Sequence, residues 1–517
     1  MLEVNTLDGH EAWDRLRDLY EPSPIPPGHQ NVLKNILDYV GPHCKTAVIE
    51  SDYIDRDYRS SYSAFYSQLF SPPDFVCRRL HLFSSALDVP DPDPDQLHEF
   101  LESAAANGSY LGFVVMRPTE SCRVGRTVIA PVMLKGNEYL TCRSLHEASL
   151  LGVRLRVWGA PFYEQDGYVA RCAEVVVRSC VLHMQKSQGL REYSIPTIHQ
   201  VLSDKSHDRQ ALPSEGLSPA QMSEAFKSMG YNPIRFDKKT ISPWRPCELL
   251  YPYLESGIPV IVFGTWGSQE LHTELVVGHS SDYRRLLKPK KARNTHPSAG
   301  AIKILPTTME WVTGLLINDD SRGPYIPHGV NDAEVKGIEK ILIPLPPKIH
   351  LRPDHIVGYV SRLLDPQGKG IAYLRMRAGA GSLLSGFLDV LGDLVLHVFF
   401  CRSNDLKMSM RYRHHAPVAQ VSTYVRLVNM PRYVWVAEVT THAYWRDQEK
   451  RVIGQFVFDS TASSFENALL LQHVPGYLQA SEYRNPEQRV GEMLTEDHEY
   501  SPYFSSRSSL PVAVDPP

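Results

Sequence analysis

The sequence predicts an α+β protein, and three observations carry that prediction. Apolar runs of strand length, such as Tyr110–Met116 and Tyr433–Thr441, are interspersed with helical stretches that carry their own start and stop signals. The chain has 517 residues, too many for one ordinary core, so two or three units are expected. Its hydrophobic content of 43% and charged content of 22% are those of ordinary globular protein. The division read from the sequence is an N-terminal α+β unit over 1–150, a middle unit over 151–335 and a C-terminal α+β region over 336–517. A tail rich in Ser and Pro, poorly ordered, is expected from about residue 500.

In the first unit, Gly28–Val40 has helical periodicity with Gly41 as its stop, and Lys45–Glu50 reads as a strand. Tyr53–Tyr66 mixes Tyr with Asp, Arg and Ser, and reads as a partly exposed helix packing its Tyr stems. Asp88–Asp95 is a polar loop broken by prolines. A helix opened by Asp95 runs to Ala106 and closes at Asn107-Gly108. Tyr110–Met116 and Arg126–Leu134 are apolar runs of strand length.

In the middle unit, Val153–Trp158 is strand-like and leads into Gln165, and Cys172–Met184 follows as an apolar helix. Ser218-Pro-Ala-Gln221 is a capping box with Pro at the first helical position, and Met229-Gly230 is the stop. Leu249–Ser256 is helical, and Gly257–Phe263 enters a buried strand. His272–Gly278 and Trp311–Asp319 are further strands. The basic stretch Arg284–Arg293 reads as a solvated hairpin tip. Beyond, Ile341–Pro347 reads as an apolar, Pro-rich connector, Pro353–Leu364 as a helix, and Tyr433–Thr441 and Arg451–Phe458 as strands.

A net charge of -4 argues against bulk polyanion binding, so no nucleic acid is expected. The most apolar window, Leu383–Phe400, contains Asp389, Asp393 and His397 and reads as buried globular structure, so no membrane span is expected. Met1–Asp8 has neither the basic start nor the apolar run of a signal peptide. The eight cysteines form no CxxC pair, which points to reduced thiols in a cytoplasmic protein. No His pairs with an acidic residue at metal-ligand spacing, and Gly379–Gly386 lacks the Lys-Ser/Thr ending of a phosphate loop. No metal or cofactor is therefore expected.

Gln165, Cys172, His272 and Asp319 occur in the order that thiol acyl chemistry needs. A thiolate attacks a carbonyl, a His moves the proton, an acid orients the His, and a Gln side chain donates to the developing oxyanion. Four segments carry a resemblance: Gln165 with Cys172-Ala173, Gly216–Tyr231, Leu254–Ile261, and His272–His279 followed by Leu316–Pro324. Together they resemble the C39-like papain-like cysteine peptidases. The resemblance covers roughly a third of the chain and departs from the family at Ala173, where Gly is usual, and at Asp320, where Pro is usual.

That resemblance implies a papain-like core, with the Cys-bearing helix packed on an antiparallel sheet that carries the His and the Asp. It implies a cysteine peptidase, isopeptidase or amidase acting on a protein or peptide. Cys172 would be the nucleophile, His272 the general base and then acid, Asp319 the orienter, and Gln165 with the Cys172 N–H the oxyanion hole. His279 and Asp320 are the rivals for the base and the orienter. A degenerate scaffold and an acyl-transfer enzyme remain as alternatives. A fainter set, Cys401, His442 and Asp459, is similar to transglutaminase-like segments but reads as paired strands.

Overall fold

The computed structural model of the chain describes residues 2–6, 30–87, 89, 92–119, 122–166, 172–203, 218–265, 272–284, 290–291, 303–412, 419–447, 450–462, 468–481, 489–494 and 499–503. It is a mixture of helices and antiparallel sheets, in keeping with the α+β class. Most of the basic stretch Arg284–Arg293 lies outside the described residues.

The first sheet is a five-stranded antiparallel meander of Leu2–Thr6, Thr46–Tyr53, Cys77–Phe83, Tyr110–Met116 and Val124–Ile129. The helix Val32–Val40 buries Val32, Leu33, Ile36, Leu37 and Val40, one apolar stripe at helical spacing. The helix expected to open at Asp95 opens at Pro94. Asp93 is its cap, because the Asp93 carboxylate accepts from the N–H groups of Asp95 and Gln96 while Gln96 reaches back.

A hairpin of Ser144–Leu150 and Val153–Gly159 follows, closed by Leu151 and Gly152, both at positive φ as a type I′ turn requires. The expected boundary at 150 falls inside this turn. The hairpin's apolar side chains join the core of the first sheet.

The middle sheet is seven-stranded and antiparallel. Its path runs Gly323–Gly329, Val312–Asp319, His272–Ser281, Val260–Gly264, Ile338–Leu345 and Asn232–Asp237, with Glu138–Tyr139 added beside His272–Ser281. Gly278 is required where that short strand joins, since a Cβ there would lie 2.2 Å from the Tyr139 carbonyl oxygen. The connector expected over Ile341–Pro347 is instead a strand inside this sheet, which therefore continues past the expected boundary at 335. Pro344 is tolerated because it faces Pro233, beyond the last rung to the neighbouring strand at Leu342, so its missing N–H removes no ladder bond.

The helix Cys172–Gln188 is buried between the two sheets. Ala173, Val176, Val177, Cys180, Val181 and Met184 join the core of the middle sheet, while Val175 and Leu182 join that of the first. Its polar side chains Glu174, Arg178, Ser179 and His183 are buried with them, so the helix is enclosed on both faces.

The third sheet is a six-stranded meander of Leu394–Arg402, Tyr433–Thr441, Gly454–Asp459, Leu469–Val474, Tyr477–Ser481 and Arg489–Met493. Its first strand packs on the helix Pro246–Glu255, and one apolar cluster runs from Val32 to Tyr477 through all three regions. Residues 500–503 do not begin a loose tail. Tyr500 pairs with Val452, and Tyr503 stacks on Phe399 with centroids 5.0 Å apart. Two buried aromatic rings outweigh the polar composition there. Residues 504–517 lie outside the described residues. Among the described residues no helix is long and apolar enough to cross a membrane.

Candidate active site

Cys172 is the first described residue of the enclosed helix Cys172–Gln188. Of the eight cysteines, all free thiols, seven are buried and Cys172 is half-buried. Burial pushes the thiols of Cys44, Cys77 and Cys247 up to about 12, which makes them poor nucleophiles. The Cys172 sulfur lies close enough to the His272 imidazole to help raise its pKa.

His272 opens its strand opposite Gly264, beside the strand that ends at Asp319. Its Nε2 lies 3.8 Å from Asp319 Oδ1 and 3.5 Å from Asp320 Oδ1. Burial alone would lower the pKa of the imidazole. Asp319, the Cys172 sulfur and Asp320 together outweigh it and raise the value to about 11, so the ring holds its proton at neutral pH.

The two aspartates differ. Asp319 Oδ1 accepts from the Ser321 N–H at 2.9 Å and the Ser321 hydroxyl at 2.7 Å, and Oδ2 accepts from Arg322 Nε. Burial would raise its pKa, but His272 and Arg322 hold it well below the usual carboxylate range. Asp320 is buried, and among the described residues neither of its oxygens has a hydrogen-bond partner. Burial pushes it up to about 7, against the pull of His272. Glu274, two residues along the strand from His272 and so on the same face, is also buried with neither oxygen hydrogen-bonded among the described residues, and burial pushes it up to about 8. Arg322 supplies the counter-charge, 3.7 Å from both Glu274 and Glu334.

Gln165 is half-buried on the segment 163–166, and residues 167–171, which join it to Cys172, lie outside the described residues. Its neighbour Glu164 is close enough to Asp320 to raise that carboxyl's pKa, so the segment abuts the site. The structure thus brings Cys172, His272, Asp319 and Asp320 together, with the Gln165 segment beside them.

The rivals and the second pattern part from this cluster. His279 is fully buried and held by Glu255 at 2.7 Å and Ser281 at 2.9 Å. Cys401 and Asp459 both face Val434, while His442 follows the other end of that strand at Thr441, so these three form no site. A groove of about 420 Å³ lined by Tyr359, Lys369, Tyr373, Phe456 and Gln472 contains none of the expected site residues.

His272, Asp319 and Asp320 each offer one ligand atom within 4.8 Å of the others, a spacing a divalent cation could use. Both oxygens of Asp319 are already engaged and a guanidinium lies against it, so this donor set is poorer in free lone pairs than a cation requires.

Sequence reasoning missed Glu274 and Arg322. Both had a signal: alternation from His272 places Glu274 on its face, and Asp-x-Ser from Asp319 is the pattern of an Asx turn that brings Arg322 back. No protein-family model matches the chain, and no curated protein matches it.

Proposed function

We propose that this chain is a thiol hydrolase of papain-like layout, cleaving an amide or isopeptide bond in a protein or peptide. The observation that carries the reading is the half-buried Cys172 thiol, on a buried helix, beside an imidazole that two aspartates flank. Helix N-terminal N–H groups and a protonated imidazole both favour a thiolate.

In this reading Cys172 Sγ bonds to the substrate carbonyl carbon, and the oxyanion accepts from the Gln165 amide and the Cys172 N–H. His272 gives its proton to the leaving amine as the C–N bond breaks. It then takes a proton from water, which hydrolyses the thioester and frees the thiol. An amine in place of water would turn the same steps into acyl transfer.

The test is iodoacetamide labelling at pH 5.5, read by peptide mass spectrometry. Cys172 is expected to label at least about tenfold faster than any other cysteine, and His272→Ala to remove the advantage. Even labelling across the cysteines would sink the reading.

A further inference from the structure

The N-terminal region has no role in the scheme above, yet it touches the one catalytic segment whose support is otherwise unexplained. Gln165 lies between two residues that the first sheet grips. Glu164 is bolted to the edge strand Val124–Ile129. Its N–H donates to the Val124 carbonyl at 3.2 Å, and its carboxylate accepts from the Val124 N–H at 2.7 Å. On the other side, the Asp166 carboxylate accepts from the Tyr66 hydroxyl and lies 3.6 Å from Arg117 Nη1.

Arg117 connects the two grips. It follows the strand Tyr110–Met116, and its Nη2 donates to the Glu164 carbonyl at 3.0 Å and to the Cys122 carbonyl. Arg117 and Asp166 are nearly sealed, with side chains 7% and 4% exposed. A guanidinium is the side chain suited to this work, because its planar fork can hold a carbonyl and a carboxylate at once in fixed geometry.

We infer that Arg117, assisted by Tyr66, is a positioning residue for the oxyanion donor. By fixing Glu164 and Asp166 it sets the backbone of Gln165, and so the direction of the Gln165 amide. The N-terminal sheet is then a buttress of the site rather than a separate module. This inference rests on the proposed thiol chemistry.

Two reagents separate the parts. p-Nitrophenyl acetate acylates a thiolate: the S–C bond forms through a tetrahedral oxyanion, and p-nitrophenolate leaves as its C–O bond breaks. Iodoacetamide alkylates the same sulfur by displacing iodide at a methylene, with no oxyanion. The readout is the ratio of the two rate constants at Cys172 in the full chain, with the Cys172→Ala background subtracted.

Arg117→Lys keeps the charge but loses the fork, and is expected to lower that ratio about 10- to 100-fold, the scale of one misplaced oxyanion donor. Gln165→Ala sets the full loss, and Arg117→Lys combined with Gln165→Ala is expected to fall no further. Tyr66→Phe, a milder change that keeps the ring in place, is expected to lower the ratio about threefold or more. An unchanged ratio in both Arg117→Lys and Tyr66→Phe would overturn the inference, as would a double variant whose loss is the product of the single losses. Absence of either reaction at wild-type Cys172 would overturn the thiol reading itself, an outcome visible before any variant is made.

Discussion

Two assemblies of histidine and carboxylate among the described residues are built in opposite ways. The closed one joins Glu438, His397, Glu255 and His279, all fully buried. Glu438 bonds His397 at 2.9 Å, His397 bonds Glu255 at 3.0 Å, and Glu255 bonds His279 at 2.7 Å. Ser281 and the Tyr503 N–H close the ends. The open one surrounds His272, whose side chain is 23% exposed, with carboxylates at 3.5 and 3.8 Å and a thiol beside it. In the closed assembly the hydrogen-bonding capacity is spent on tying the middle sheet to the third. In the open one Asp320 and Glu274 keep capacity unspent, which is costly in a folded core and useful in a reaction.

The largest effect that would break this comparison comes from exchanging its histidines for alanine. His272→Ala is expected to lower Cys172 acylation by p-nitrophenyl acetate about 100- to 10,000-fold, with the Tm little changed. His397→Ala leaves two buried glutamates short of a partner and is expected to cost about 3–5 kcal/mol of stability. The protein that remains folded should still label at Cys172. Loss of labelling in a fully stable His397→Ala would show that the closed assembly takes part in the chemistry.

Much of this was legible in the sequence. Apolar runs with their own punctuation gave Tyr110–Met116 and Tyr433–Thr441 at their observed bounds. The capping box at Ser218 formed with Gln221 as its spacing requires. That Cys172, His272 and Asp319 lie near one another was expected only from the resemblance, since local pattern can place a helix and two strands but cannot bring them together. What stayed hidden depends on pairing between distant segments. Ile341–Pro347 looked like a connector because prolines mark loops, and only the sheet's register shows Pro344 beyond the ladder. The grip of Arg117 on Glu164 spans 47 residues and has no local signature. The closed assembly was hidden for the same reason, since His397 and Glu255 lie 142 residues apart.

The next largest effect divides the two aspartates. Asp319 is committed to Ser321 and Arg322, whereas Asp320 is committed to neither and lies closer to His272. Asp319→Asn is therefore expected to lower both the Tm and the labelling rate, since it also releases Arg322. Asp320→Asn is expected to lower labelling about tenfold while the Tm holds. Its pH profile should change as well. With Asp320 pushed up to about 7, ionisation above that pH adds a negative charge beside the imidazolium, so wild-type labelling should rise through pH 7. That step should be missing in Asp320→Asn. A step that persists there, and vanishes in Asp319→Asn, would return the orienting role to Asp319.

The smallest effect is the sharpest test of the difference between spent and unspent carboxylates, because the two assemblies should respond to pH with opposite sign. Burial would raise Glu255, but His279 and His397 outweigh it and depress the pKa from 4.5 to about 2. Its stabilising contribution is therefore present above about 4.5 and is lost as pH falls through 2. Burial raises Glu274 to about 8, so the folded chain keeps a proton there that the unfolded chain releases above about 4.5. Its contribution is present below that value and is lost as pH rises through 8. Glu274→Gln keeps the shape and removes the titration, and should raise the Tm by a few degrees at pH 9 while changing little at pH 5. Glu255→Gln should instead lower the Tm at neutral pH and flatten the acid limb. Equal pH dependence of Tm in wild type and Glu274→Gln would mean that Glu274 has found a partner. The open assembly would then be as fully satisfied as the closed one.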